Sequence, residues 1–526
     1  MHILIIGAGM AGVGTGVVAA RAGHNVTLVD RQATVGVQGL PAATDIADYV
    51  RSVAARGGLR REHFRLSTAV TKMAWVAGGG YERRGSGGVG GAVNGNGAVG
   101  GRWDITLVSV GTDNADAAEV LRVDWVVVAS GRESGPPTAL PAIDNADVFG
   151  GRVLNHRDTY GMNVEELLAA TGISHVPSMA PSKGEPATSR QDEEEMPPTS
   201  DAAARSVVIA GNGKTAMDLA MTLTDIDDGV TAHLVASRRH WMMPFTFFGL
   251  IPTEPLLYVR AANAASPCWA YTTPIARALA GPLWPLAALW GMLMAAIVRA
   301  SVGWHRDLCG GGFSFGRDTF RNSFCMIPAG FRRRLLSRRI VVHAPDEVVA
   351  AAGVASLRLA SGKVLPATAL LSCRGTSHRS SLAAFLPAAD VDALFAAGDG
   401  LRLYRHLVHP DVAPHVAFVA AHHSFAFGTL VHMQALWLVE LWAGRLRLPP
   451  RQAQRDEMNR VACVKRDQLS CNRETACLVM DRFYPYLDEL SIDLGVEHVR
   501  AGYFTSFDPD WYAGVEGELR HRREAA

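Results

Sequence analysis

No two cysteines in this chain stand at the C-x-x-C interval. The seven present, Cys268, Cys309, Cys325, Cys373, Cys463, Cys471 and Cys477, also match no zinc-ligand spacing. That excludes a redox dithiol and a cysteine-held metal, so no metal is expected, and it fits thiols kept in a reducing compartment. An excess of one charge is lacking too: 51 lysines and arginines face 50 acids, for a formal net charge of +1. A surface balanced in this way gives no electrostatic grip on nucleic acid, and that class of partner is set aside. A charged and then apolar leader is missing as well, because the first strand-like run opens at His2. The expectation is a chain without a cleavable signal peptide, placed in the cytoplasm or peripherally on an intracellular membrane. Length is not lacking: 526 residues allow two or three domains at roughly 150 residues each.

The run "HILIIG" (2–7), a helical pattern from Met10 to about Arg21 and "NVTLVD" (25–30) read as a β-α-β unit whose strands are continuous apolar runs, as buried parallel strands are. An amphipathic helix closed by glycine follows in "TDIADYVRSVAARGG", then a strand from Thr68 to Val76. Residues 78–101 are so rich in glycine that they read as a solvated loop between hairpin strands, which resume at "RWDITLVSV" and "VDWVVVAS". The tract from Pro177 to Arg205 mixes proline, serine and a run of acids and reads as a linker. After it a second β-α-β pattern appears: "SVVIAG", "KTAMDLAMTL" and "TAHLVAS", ending in "RRHWMMP". The later runs "ATALLSC", "HVAFVA" and "TLVHMQALWLVELWAG" are expected to close the first domain, so that the second unit is inserted into it.

Each unit carries a glycine turn. In Gly7-x-Gly9-x-x-Gly12 the first glycine permits a tight turn, the second lets backbone approach a pyrophosphate, and the third lets helix and strand pack closely. Met10 and Ala11 begin the helix, whose free N–H groups and partial positive charge face the phosphates. Asp30, eighteen residues past Gly12, is placed to accept from a ribose 2′-hydroxyl, with Arg31 beside it. In the second copy Gly211, Asn212 and Gly213 match, Ala216 replaces the third glycine, and the following strand ends in Arg238 and Arg239 rather than an acid. An acid there would repel a 2′-phosphate, whereas guanidinium groups match its oxygens, so NADPH is favoured over NADH. Lys214 and Thr215, at the first helical positions, are candidates for further phosphate contacts. Two turns imply two carriers: a flavin adenine dinucleotide (FAD) at the first, and a nicotinamide brought to it by the second.

Five segments in order resemble the flavin-containing monooxygenase group, which includes Baeyer-Villiger enzymes. "DWVVVASGRESGPPTALP" (124–141) looks like its first A-T-G-x-x-x-x-P-x-x-P element, with Ser130 for threonine and Gly131 retained. "GNGKTAMD" with "RRHWMMP" is similar to its NADPH unit, and "LLSCRGT" is more distantly similar to its second A-T-G strand. "HPDVAPHVAFVA" and "HMQALWLVELWAG" look like its C-terminal segment, in which a Q-A-x-W helix, here carrying Gln434, packs beside the flavin. Two departures stand out. The group's F-x-G-x-x-x-H-x-x-x-[FY] fingerprint appears as "FGGRVLNHRDTY", with Asn155 at the histidine position and His156 one residue late. After Asp30 the usual G-G-x-W and long polar loop are replaced by the short "DRQATVGVQGLPAATDI", which leaves the catalytic residues unknown.

The resemblance implies an α/β fold of two Rossmann-like dinucleotide-binding domains, the NADPH domain inserted into the FAD domain. The expected divisions are 1–176 (first part of the FAD domain), 177–205 (linker), 206–340 (NADPH domain, with an apolar insertion at 245–305), 341–450 (second part of the FAD domain) and 451–526 (C-terminal helical extension). It also implies that NADPH reduces the flavin and that O2 adds to it as a C4a-hydroperoxide. One oxygen atom then passes to a small lipophilic substrate, by N- or S-oxygenation or by converting ketone to ester. Other readings remain: an NADPH-dependent flavin oxidoreductase without oxygenation, a membrane-docked flavoprotein without turnover, and a flavin-linked disulfide reductase, whose dithiol is absent.

Residues 278–298 carry no charge and at ~1.5 Å per residue are long enough to span a bilayer core. A single crossing would strand the two halves of the first domain on opposite sides. The expectation is instead an apolar helical pair broken near Pro282 and Pro285, walling a substrate tunnel or lying peripherally on a membrane through 269–304, with a buried core helix as the alternative. Trp269, Tyr271, Trp284, Trp290 and Trp304 would form its interfacial belt.

Overall fold

The computed structural model describes residues 1–33, 35, 43–77, 101–111, 118–131, 135–140, 142–160, 162–173, 205–226, 229–237, 239, 241–253, 258–260, 285, 289, 292–293, 295–303, 324–395, 400–412, 414–422, 424–468, 483–498, 500, 502 and 505–525. The glycine-rich loop, the acidic linker, Arg238 and the five aromatic residues of the expected belt lie outside these residues.

β1 (His2–Ile6), α1 (Met10–Arg21) and β2 (Asn25–Val29) form the expected parallel unit, in register from His2 opposite Asn25 to Ile6 opposite Val29. α2 (Ala43–Arg56) leads to β3 (Phe64–Arg65), which pairs with β2. An antiparallel meander of β4 (Thr68–Ala77), β5 (Gly101–Ser109) and β6 (Glu119–Val123) returns the chain to β7 (Trp125–Val128), parallel to β1. Alternation explains why β1 is apolar on both sides. Ile3 and Ile5 face α1 and the C-terminal helices, whereas Leu4 and Ile6 face the meander.

The second sheet is assembled from distant pieces. Before the linker come β8 (Arg152–Asn155) and α3 (Val164–Thr171); after it come β9 (Ser206–Ala210), α4 (Lys214–Ile226) and β10 (Thr231–Val235). β11 (Trp241–Met243), the hairpin of β12 (Thr246–Phe247) and β13 (Ile251–Pro252), β14 (Phe324–Met326) and α5 (Phe331–Leu336) lead to β15 (Ile340–His343). A second three-stranded meander follows, β16 (Val348–Gly353), β17 (Ser356–Leu359) and β18 (Val364–Pro366), and then β19 (Ala369–Ser372). The sheet order is β15-β10-β9-β19-β8, all parallel.

This corrects one expectation. The run "ATALLSC" was assigned to the first domain, but its strand β19 lies between β9 and β8 in the second sheet. It belongs there because the glycine turn after β9 needs a neighbouring strand to pack upon. The second module therefore reaches beyond 206–340 at both ends.

The chain then returns to the first sheet. α6 (His378–Ala383) and α7 (Ala388–Leu394) cover the meander face, and β20 (Val416–Phe418) pairs with β7, completing the order β20-β7-β1-β2-β3. α8 (Phe427–Trp442) lies against α1 so closely that a Cβ at Gly14 would stand 2.9 Å from Val431. α9 (Arg451–Gln468), α10 (Phe483–Leu494) and α11 (Val515–Ala525) follow. Tyr484, Tyr486, Leu487, Val515 and Leu519 share one core with α1 and α8, so these helices are part of the first module's interior. Arg405 fastens them, its guanidinium donating to Asp493 at 2.8 and 3.0 Å, to Glu457 at 2.8 Å and to Glu489. Among the described residues no helix is long and apolar enough to cross a membrane.

Candidate functional site

The two glycine turns are superposable in their bonding. Gly7 N donates to Val29 O at 2.8 Å, and Gly211 N donates to Val235 O at 2.8 Å. Gly7 has φ +114° and Gly211 φ +142°, the positive region that glycine tolerates. A Cβ at Gly7 would stand 2.5 Å from Ala129 O, and one at Gly211 would stand 2.6 Å from Cys373 O. Gly9 and Gly213, by contrast, look onto open space within 4 Å. Each middle glycine thus leaves a clear approach to the first turn of its helix, as a pyrophosphate requires.

The third position separates the turns. A Cβ at Gly12 would stand 1.8 Å from Gly7 O, so nothing larger than glycine fits there. Ala216 occupies the equivalent place in the second turn and is fully buried.

Beyond the second strand the difference is chemical. Asp30 N donates to Arg65 O at 3.1 Å, and the Asp30 carboxylate accepts from Ala8 N at 2.6 Å and Gln32 N at 2.9 Å. The carboxylate therefore reaches back to the glycine turn itself. The equivalent position is Ala236, whose N–H bonds His343 O at 3.0 Å. Arg31 is exposed and Arg239 half-buried.

Polar groups collect at the second turn. The Asn212 side chain is 3% exposed, and neither its amide oxygen nor its amide nitrogen has a hydrogen-bond partner. The buried Ser372 hydroxyl, at the end of β19, also lacks one. Buried polar atoms are seldom left unsatisfied, and these two hold unused bonding capacity beside the second turn. Lys214 and Thr215 are exposed, and the Lys214 ammonium is bonded to Asp218.

Gly131, at φ +78°, follows Ala129 by two residues, as Gly375, at φ +79°, follows Cys373. These are the two segments that the resemblance pairs as first and second A-T-G elements. The segments beyond the two glycines pair with each other: Thr138 N donates to Gly375 O at 2.8 Å, and Ser377 N to Pro136 O at 2.9 Å. They form a two-stranded ribbon carrying the chain out of the first module and back. Residues 258–260 are seated on the first module, because Arg260 is buried and paired with Asp488 of α10, with one contact at 3.0 Å, and lies over Tyr484.

The remaining candidates fall apart from one another. His156 is buried, its Nδ1 3.3 Å from Ser372 O and its ring edge-on to Tyr160. Asn155 is engaged locally, bonding Asp158 at 2.6 Å and accepting from Arg157 N at 2.9 Å. The Gln434 amide is occupied at both ends: its Oε1 accepts from Ala420 N at 3.0 Å and its Nε2 donates to the Tyr486 hydroxyl at 2.9 Å. What Gln434 holds is the backbone at Ala420, at φ +54°. Burial pushes the Cys325 and Cys373 thiols up to about 12, which removes them as nucleophiles near neutrality.

Residues 1–247 match the family model described as pyridine nucleotide-disulphide oxidoreductase. No curated protein matches the sequence. Among solved structures, the open form of a cyclohexanone monooxygenase is similar at 13% identity and a TM-score of 0.56, over 94% of this chain and 98% of that one. An oxidised steroid monooxygenase bound to NADP is similar at 12% identity and 0.54, over 95% and 99%. The S-allyl-L-cysteine S-oxygenase of Allium sativum is similar at 13% identity and 0.52, over 100% and 93%. At such identities what is shared is the fold, over essentially the full length of each.

Proposed function

We propose that this chain, built on the two-module fold of those oxygenases, is a flavin-dependent NADPH monooxygenase holding FAD at the first glycine turn and NADPH at the second. The observation that carries the reading is the repeated turn with unlike ends: a carboxylate at Asp30, and at the matching Ala236 no acid but Arg238 and Arg239 nearby. Gly7 and Gly12 fit a phosphate cradle because any Cβ there would strike backbone, while Gly9 and Gly213 stay open. Asn212 fits a nucleotide contact because its amide is buried without a partner.

When bound, the flavin supplies the redox chemistry with O2, using electrons from the nicotinamide. The chain's own residues hold and orient. The helix N-termini at Met10 and Lys214 present N–H groups to the two pyrophosphates, with Ala11, Lys214 and Thr215 in their first turns. Asp30 fixes the turn through Ala8 N and would hold the adenosine ribose of FAD, with Arg31 next to it in the chain. Gly131, with open space around it, would leave room for the flavin, and Gln434 would act through the Ala420 backbone it holds. Arg238 and Arg239 select the 2′-phosphate. The substrate is small and lipophilic, oxygenated at nitrogen or sulfur or converted from ketone to ester.

An NADPH-dependent flavin oxidoreductase without oxygenation is the second reading, favoured by Asn155 at the fingerprint histidine position and by the short segment after Asp30. A disulfide reductase is disfavoured by the half-buried, unpaired Cys325 and Cys373. The test is to purify the protein, record its visible spectrum, and supply NADPH and 18O2 with thioethers, tertiary amines and cyclic ketones. One labelled oxygen in the product supports the monooxygenase. NADPH consumption matched by hydrogen peroxide, with no labelled product from any class, supports the second reading. A protein that stays colourless after incubation with FAD overturns both.

A further inference from the structure

The hairpin β12–β13 ends in an apolar tip that the fold does not cover. Leu250 is 83% exposed and Phe248 54%, with Phe245 and Ile251 also open to solvent. Beside it runs the helix that ends at residues 301–303, where Ser301 Oγ accepts from Phe248 N at 2.8 Å. Farther toward its start, Leu293 and Leu289 are likewise exposed. On the other side of the same helix end, a Cβ at Gly303 would meet Arg332 Nε at 3.4 Å. Phe247, Ala295, Val298, Val302, Phe331 and Leu335 share one core, so hairpin, helix and α5 are a single firm corner of the second module.

The exposed charges of α5 and the turn after it are positive. Residues 331–339 hold five arginines, and no acid occurs from 319 to 345. Arg334 pairs with Asp225 and Arg339 donates to Thr224 O, whereas Arg332, Arg333 and Arg338 are exposed. An apolar patch rimmed by polar groups marks an interaction surface. The combination of a projecting apolar tip and exposed arginines complements acyl chains beneath an anionic headgroup layer. A symmetric pairing of two copies through this corner would set arginines against arginines and is opposed by their repulsion.

We propose that this corner, Phe248 and Leu250 at the tip with Arg332 and Arg333 beside them, docks the protein peripherally on an anionic lipid bilayer. The proposal does not depend on the cofactor reading. It replaces the expected aromatic belt at 269–304 with described residues that lie mostly outside it.

The test is co-sedimentation of the full-length protein with phosphatidylcholine vesicles with and without phosphatidylglycerol, at low and high salt. Wild type is expected to bind the anionic vesicles and to release in high salt. Leu250→Ser, at a position too exposed to carry the fold, and Phe248→Asn, which suits the φ of +54°, should each weaken binding by roughly tenfold. Arg332→Gln with Arg333→Gln should abolish the preference for phosphatidylglycerol. Thermal melting verifies that the variants are folded. Wild type that ignores anionic vesicles, or Leu250→Ser that binds as tightly as wild type, overturns the proposal. So does a wild-type dimer in sedimentation equilibrium that Leu250→Ser dissolves, which would give the surface to a second copy.

Discussion

The two modules share one plan, strand for strand: β20-β7-β1-β2-β3 answers β8-β19-β9-β10-β15, each with a three-stranded meander just before the strand, β7 or β19, that lies beside the glycine-turn strand. The order in which the chain visits them differs. The outer strand of the first sheet comes last, as β20, whereas the outer strand of the second comes first, as β8. Such a relation lets the second module sit inside the first with only one excursion and one return. It also shows where divergence is tolerated: the turn and its supporting strand are kept, while the residue beyond the second strand and the third glycine have changed.

The largest break in the comparison is expected at Arg405, for which the second module has no counterpart among the described residues. Arg405→Met leaves Glu457, Glu489 and Asp493 without their cation in the interior, at a cost of about 3–5 kcal/mol. Melting followed by flavin release should fall steeply, while NADPH binding to the second module is retained. Next come the turns. Gly12→Ala forces a Cβ against Gly7 O and should cost about 2–4 kcal/mol, with flavin lost on gel filtration, whereas Gly213→Ala meets open space and should leave melting unchanged. If both substitutions behave alike, the two turns are not distinguished by packing at all.

Cofactor choice gives a comparable but purely functional contrast. Arg238→Ala with Arg239→Ala should weaken NADPH by about 2–4 kcal/mol through two lost charge-assisted contacts and leave NADH nearly untouched in equilibrium titration. Equal weakening of both nucleotides would remove the 2′-phosphate assignment. Placing an acid where the first module has Asp30, as Ala236→Asp, should act in the same direction by about 1–2 kcal/mol.

The smallest effect is the pH response. Burial, with His343 and Lys363 nearby, pushes His233 down to about 3, and burial, with Lys465 and Arg405 beside it, does the same to His406. Each is lowered from 6.5, so the stability it contributes is present above that value and is lost as the pH falls toward 3. Burial pushes Glu489 the other way, up to about 7 from 4.5, against the pull of Arg405. Its contribution is complete below 4.5 and is lost as the pH rises through 7. Glu489→Gln should therefore melt like wild type at acid pH and be steadier by ~1 kcal/mol in mild alkali. A variant less stable than wild type at high pH would contradict the direction of that shift.

The sequence was most informative where a rule has a short range. Apolar runs flanking Gly7 and Gly211 placed β1, α1, β9 and α4, because a strand, a tight turn and a helix are all local. It misassigned "ATALLSC", since which sheet receives a strand is decided by a neighbour far away in the chain, here Ala210 and Gly211. Gln434 stood out in a helix pattern, yet its bonds run to Ala420 and Tyr486, and no spacing announces that. Arg405 and Arg260 gave no signal either, as their carboxylate partners lie 52 to 88 and 228 residues distant. The uncharged stretch lies mostly outside the described residues, and the exposed apolar side chains of the hairpin, Phe248 and Leu250, precede it and carry no signal of their own in the sequence.

Both crossings between the modules run side by side in the ribbon of Pro136–Thr138 with Gly375–Ser377, so neither strand can slide along the other without breaking the backbone bonds that pair them. The exit and the return are thereby coupled at one narrow neck, and Arg260, held by Asp488, moors a further length of the intervening chain to the first module.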